Sequence, residues 1–278
     1  MTTAAIRRGA TARSRATTRR GLARGRLRGL AAWWKRASGH ARLVAVTAAL
    51  SVVLITGNWL YHVLRKPSEL VGLVAGPAPR TPGETWRTYG PLFRRHSTEV
   101  LTPDLLGALV QIESAGDPAA RPAWRWRLGW SPLEWYGPAS SAVGLLQITD
   151  ATFADARRYC IHEHRVARVG AVTDLHACWF NAFYTRLLPS HAIEMTSAWL
   201  TQATDDLVAA RGVPGVKLGS RQDLAAAIHL CGLERGRAFV RHGFRALPGE
   251  RCGDHGLAEY LGGVRALAAL FRQLERSS

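Results

Sequence analysis

The stretch TPDLLGALVQIESAGDP, residues 102–118, decides how this chain folds and where its chemistry lies. Thr102 can accept a hydrogen bond from the first free amides of a helix, and Pro103 at the first helical position needs no amide partner and has its φ already set. Gly116 tolerates the left-handed conformation just past a helix end. A helix over 103–114 is therefore expected. At about 100° per residue, Leu105, Leu106, Leu109, Val110 and Ile112 form one apolar stripe, while Asp104, Gly107 and Gln111 point the other way. Glu113 falls inside the stripe. A carboxylate there, in the last turn where the helix dipole is negative, is disfavoured as an anion on both counts. That is the setting a general acid needs. The competing reading is a glutamate that pairs with an arginine and merely ends a helix.

A second stretch, SSAVGLLQITDATF at 140–153, follows a loop rich in proline and aromatic residues. A Glu-Ser pair at a helix end followed by this segment resembles the catalytic core of the lytic transglycosylases of the soluble-lytic, lysozyme-like type. In that family the glutamate is the acid, a Gly-Leu-Met-Gln segment lines the glycan cleft, and a later Ala-Tyr-Asn-Ala-Gly segment completes the site. Glu113 and Ser114 match the first motif. Gly144, Leu145, Leu146 and Gln147 match the second, with Leu146 in place of methionine. The third departs from the pattern: AIHLCG puts His229 at the tyrosine, where it could donate a hydrogen bond to Glu113 or to sugar or be a packed structural histidine. Between the first two motifs, Trp124, Trp126, Trp130, Trp135 and Tyr136 could stack on sugar, with Trp135 and Tyr136 taken as the binding pair, or fold over their own cluster.

The resemblance implies an all-α, lysozyme-like domain over 99–278. It implies cleavage of the N-acetylmuramic acid to N-acetylglucosamine bond of peptidoglycan by a single acid/base, Glu113, to give 1,6-anhydro ends without a cofactor or metal. Ordinary glycosidases use two carboxyl groups at roughly 5 to 9.5 Å, and Asp117, Glu134 and Asp150 are the nearest candidates in sequence. A hydrolytic muramidase of the same fold, and a non-catalytic glycan-binding or scaffold protein of a secretion or conjugation machine, are the alternatives.

Composition supplies the compartment. The formal net charge of +17 suggests nucleic acid, but residues 1–42 hold twelve Lys or Arg and no Asp or Glu, and the first acidic residue is Glu69. Without that arm and the pair Arg65 and Lys66, 23 basic residues face 20 acidic ones, so no nucleic-acid partner is expected of the folded part. LVAVTAALSVVLITGNWLYHVL, residues 43–64, carries no formal charge and is long enough to cross a hydrocarbon core of about 30 Å. Trp59 and Tyr61 stand near one end, as interface residues do. It reads as a transmembrane helix. The basic excess before it keeps 1–42 in the cytoplasm, lying on the anionic inner leaflet or simply signalling topology, and puts the remainder in the periplasm of an inner-membrane protein.

Residues 65–98, rich in Pro and Gly, read as a periplasmic linker. Beyond 114, helices are expected near 150–160, 173–188, 194–211, 221–242 with a break at Gly232, and 256–275, and no strand of useful length. Cys160, Cys178, Cys231 and Cys252 lie on the oxidising side, where an even number suggests two disulfides. Three pairings are open. Cys160 with Cys178 and Cys231 with Cys252 are favoured, because each would staple neighbouring elements. A zinc site using His162, His164, His176 or His229 is the alternative, but no Cys-x-x-Cys spacing supports it.

Overall fold

The computed structural model describes residues 32–66, 78–127, 129–170, 173–174, 177–212 and 215–277. Most of the basic arm, residues 67–77 of the expected linker and His176 lie outside the described residues. The chain divides into two compact units, residues 1–60 with 130–133, and residues 61–129 with 134–278.

The first unit contributes most of helix α1, Gly39–Arg65, which is 27 residues long and apolar enough to cross a membrane. It starts a turn earlier than the apolar run suggests, at Gly39. His40 and Arg42 continue the helical backbone although they add nothing to its apolar character.

The second unit is mostly helical. Its first helix, α2 (Pro82–Arg95), corrects the expectation of a linker reaching to 98. Thr81 and Glu84 form a reciprocal capping box with Pro82 at the first helical position, a start signal that the surrounding Pro and Gly hide. Trp86, Tyr89 and Phe93, three and four residues apart, fall on one face and are buried in the main core.

Helix α3 spans Pro103–Ser114, as its sequence predicts. Its surroundings are different from the prediction. Asp104, Leu105, Leu106, Gly107, Ala108, Leu109 and Val110 are all buried, so α3 is a central helix and not an amphipathic one with a single apolar stripe. The polar positions are satisfied internally: Arg272 Nη1 lies 3.4 Å from Asp104 Oδ2, and the Gln111 amide accepts from Thr85 Oγ1 at 2.8 Å and donates to Arg80 O at 3.0 Å. Thr102 is the N-cap residue but its hydroxyl makes no capping bond. It accepts from Gln222 Nε2 at 3.1 Å instead. At the other end Ala115, with φ 49°, takes the left-handed cap position one residue before Gly116.

Helix α4 (Asp150–Ala156) starts from a Thr149 side-chain cap, and is shorter than expected. The helices α5 (Pro189–Arg211), α6 (Leu218–Cys231), α7 (Leu233–Arg241) and α8 (Leu257–Arg276) follow, with α6 and α7 separated at Gly232. The helix expected over 173–188 is absent: among the described residues this segment holds only a 3-10 turn at Trp179–Phe183, anchored where Asn181 Nδ2 donates to the carbonyls of Arg157 and Tyr159. Strands do occur, among the described residues as three short antiparallel hairpins: β1 (Trp124–Trp126) with β2 (Tyr136–Pro138), β3 (Tyr159–His162) with β4 (Arg165–Arg168), and β5 (Arg251–Cys252) with β6 (His255–Gly256). The two-residue turn between β3 and β4 is Glu163-His164, both with positive φ. Such a turn gives none of the Asn-Gly signal by which a hairpin is read.

The cysteines form Cys160–Cys178 and Cys231–Cys252. The first ties β3 to the 3-10 turn, and the second ties the end of α6 to β5. Two disulfides fit an oxidising, non-cytoplasmic compartment.

Helix α8 packs along α3, and two glycines set how closely. A Cβ on Gly107 would stand 3.0 Å from the Phe271 ring, and one on Gly263 would stand 3.2 Å from Ile112 Cδ1. Gly263 lets the second turn of α8 approach the last turn of α3, where Glu113 is, and Gly107 lets the far end of α8 approach the first half of α3.

Candidate functional site

Glu113 opens into a cleft of about 750 Å³ in the second unit. Its side chain is only 16% exposed. The cleft draws on the end of α3, the turn at 140–149, the end of α6, the hairpin β5–β6 and the start of α8.

Two groups meet the Glu113 carboxylate, both at Oε1. Tyr260 donates its hydroxyl at 2.6 Å, and His229 Nε2 lies 3.6 Å away with its side chain 7% exposed. The first is a short hydrogen bond, and the second is too long to be one. Burial, and then the negative charge of Glu113, hold the Tyr260 phenol well above its ordinary pKa of 10. Tyr260 therefore remains a proton donor across the working pH range of most proteins.

The second sequence motif folds as a tight turn between Val143 and Ile148, which pair across it. Gly144 is required there: its φ is +78°, and a Cβ would stand 2.4 Å from Arg186 O. Leu145 and Leu146 point into the core, at 1% and 0% exposure. Neither lines the cleft, so the expectation that they touch substrate gives way to a packing role. Gln147 does line it, held by donation from Nε2 to Ala120 O at 3.0 Å and Gly144 O at 2.8 Å. Ser114 is a tie: the single proton of its Oγ is shared between Leu145 O at 2.7 Å and Val110 O at 3.0 Å, joining α3 to this turn without lining the cleft. Arg186 braces the same turn, reaching Ser141 O, Ile148 O and the Asp150 carboxylate.

Trp135 and Tyr136 lie outside the cleft. Tyr136 stacks obliquely with Trp124 and Trp126, with ring centres 5.4 and 4.9 Å apart, and Trp135 Nε1 donates to Gly129 O. Three aromatic rings of the hairpin thus contact one another, while Trp126, Trp135 and Tyr136 remain exposed.

Of the residues singled out from sequence, the structure gathers Glu113, Gln147 and His229 around one cavity. It adds Tyr260, Asp254, His255 and Glu259, which no local pattern marked. The only hint of the hairpin is the pair of glycines in CGDHG, 252–256, just before α8. The three carboxylates suggested as partners for Glu113 are engaged elsewhere. Asp117 accepts from the amides of Ala78 and Ala119, Glu134 from the Tyr61 hydroxyl, and Asp150 pairs with Arg186.

Chemically, the arrangement is a shielded carboxyl group with a permanent donor on one oxygen, facing a polar groove. It can hold a proton, deliver it and take one back. Comparison of the chain with protein-family models, with curated proteins and with solved structures finds no match.

Proposed function

We propose that the chain is a membrane-anchored peptidoglycan lytic transglycosylase with a lysozyme-like domain, held at the inner membrane by α1 with the N-terminus in the cytoplasm and the cleft in the periplasm. The observation that carries this reading is the Glu113–Tyr260 pair at the head of a cleft that also receives Gln147. The resemblance of the first two motifs supplies the substrate. The twelve basic residues before the span against two after it support the orientation.

In the first step, protonated Glu113 gives its proton to the glycosidic oxygen and the C1–O bond breaks, with an oxocarbenium-like transition state at the muramic C1. The charge left on Glu113 is met at Oε1 by the Tyr260 hydroxyl, a donor fixed in place before the reaction. Both contacts fall on Oε1, so Oε2 is the oxygen for the substrate proton. In the second step the 6-hydroxyl of the same sugar closes onto C1, its proton passes to the Glu113 carboxylate, and a 1,6-anhydro end is released. Glu113 is then ready for another cycle.

A hydrolytic muramidase is the second reading, favoured by Asp254 and Glu259 in the same cleft lining, either of which could serve as the second carboxyl group. Purified sacculi incubated with the full-length protein, with products identified by mass, separate the two. Anhydro-muropeptides from the wild type and none from Glu113→Gln are the expected result. Reducing ends would mean hydrolysis, and no product at all would leave no support for an enzyme. Equal release by both proteins would refute the role of Glu113.

A further inference from the structure

A second recess, of about 600 Å³, opens beside the cleft. Ser140, Leu230, Asp254 and His255 line both, so the two are continuous along that wall. Their charges are opposite. The described lining of the cleft has Glu113, Asp254 and Glu259 and no Lys or Arg, whereas the recess has Arg125, Arg235 and Arg251 against the one carboxylate of Asp254.

Each arginine comes from a different element, β1, α7 and β5, so the cluster is a product of the tertiary fold. Arg125 Nη2 donates to Ala139 O at 3.3 Å, Arg251 Nη2 donates to Asp254 O, and Arg235 Nη1 stands 3.8 Å from Glu250 Oε1. These contacts use a minority of the five N–H donors on each guanidinium. All three arginines are exposed. The Cys231–Cys252 disulfide forms part of the wall and fixes α6 against β5.

We infer that this recess binds the carboxylates of the acidic peptide carried by a glycan strand lying in the cleft. The inference rests on the transglycosylase reading and names the form of substrate. Uncharged sugar tolerates a cleft lined by carboxyl groups, but a peptide tethered to the muramic lactyl group brings several carboxylates that the same cleft repels. The adjoining guanidinium groups offer bidentate hydrogen bonds to those carboxylates. The volume falls in the range of small-ligand sites. Because peptide and sugar are one molecule, the second contact forms at high effective concentration once the first is made. The chain is thereby fitted to peptide-bearing strands over bare ones.

The test uses full-length protein in detergent micelles, carrying Glu113→Gln so that nothing is cleaved. Two probes are titrated: muroglycan strands with their peptides, and the same strands stripped by an amidase, with the single lactyl carboxylate left on each muramic residue capped as its methylamide. Peptide-bearing strands are expected to bind about tenfold more tightly, the effect of two exposed guanidinium–carboxylate contacts. Arg125→Gln with Arg251→Gln removes that preference and leaves binding of the stripped strand unchanged. These two are chosen because neither pairs with a protein carboxylate, and Arg251→Lys, which keeps the charge but not the fork, lowers the preference part-way if the double variant does not fold. Equal affinity for both strands, or a preference that survives these substitutions, overturns the inference. So does inorganic phosphate competing as well as the free peptide, which marks a general anion site. Failure of the stripped strand to bind at all overturns the transglycosylase reading itself and the recess with it.

Discussion

Replacing Tyr260 with Phe removes one hydroxyl and nothing else of consequence. The ring is nearly buried, and phenylalanine fills the same space without leaving a cavity. What is lost is the 2.6 Å donation to Glu113 Oε1. A hydrogen bond to a charged group contributes about 1.5–3 kcal/mol, and one to a neutral group about 0.5–1.5. The difference, about 1–1.5 kcal/mol, is what the hydroxyl adds as Glu113 passes from acid to carboxylate. At about 1.4 kcal/mol per factor of ten this predicts a five- to twelve-fold fall in kcat with KM nearly unchanged. Burial and the neighbouring carboxylate hold the Tyr260 phenol protonated well past its ordinary range, so the hydroxyl itself does not ionise between about pH 5 and pH 9. The assay is the rate of anhydro-muropeptide release from sacculi, followed by mass at several substrate concentrations. An unchanged kcat, or a change confined to KM, would refute the reasoning.

Two other predictions concern the fold that holds this pair. Gly107→Ala is expected to destabilise the protein by about 1 kcal/mol, roughly 2 kcal/mol of overpacking against the buried Phe271 ring less about 1 kcal/mol of helix preference, and to lower activity by widening the α3–α8 contact. A melting temperature equal to or above that of the wild type would contradict it. His96 is buried, with Nε2 3.0 Å from Ser190 Oγ and Nδ1 3.7 Å from Glu194 Oε2, and burial outweighs the carboxylate to hold its pKa below 6.5. The unfolded chain thus takes up the proton first, so stability from this site is whole above about pH 6.5 and is lost as the pH falls through the folded value. Melting temperatures of the wild type should drop on acidification relative to His96→Gln, and parallel curves would show that the site does not titrate in this way.

The sequence alone determined the elements whose signals are local. The boundaries of α3 follow from Pro103 and from the turn at 115–116, the apolar run of α1 from composition, and the break between α6 and α7 from Gly232; of the three possible cysteine pairings the sequence favoured the one that the structure forms. Glu113 was marked by its position on one helix and Gln147 by its motif. Helix α2 was also legible in part, since Thr81-Pro82 with Glu84 is a start signal and Trp86, Tyr89 and Phe93 share a face, but the prolines around it read as a linker. The hairpins were not legible, because strands of two to four residues gain their stability from neighbours and a disulfide, and too few residues alternate to leave a pattern.

Only the tertiary structure decided the environment of the acid. A helical wheel shows which residues share a face and cannot show that a helix is covered on other sides too, which is why Asp104 and Gly107 of α3 turned out buried and Gln111 half-buried. Tyr260 lies 147 residues from Glu113, and it reaches the carboxylate because Gly107 and Gly263 let two helices close to contact. The same is true of the three arginines beside the cleft, which no segment of sequence places together. Helix starts, caps and charge runs act over a few residues, whereas the partner of a buried carboxylate is selected by which surfaces pack, and that is settled by the whole core.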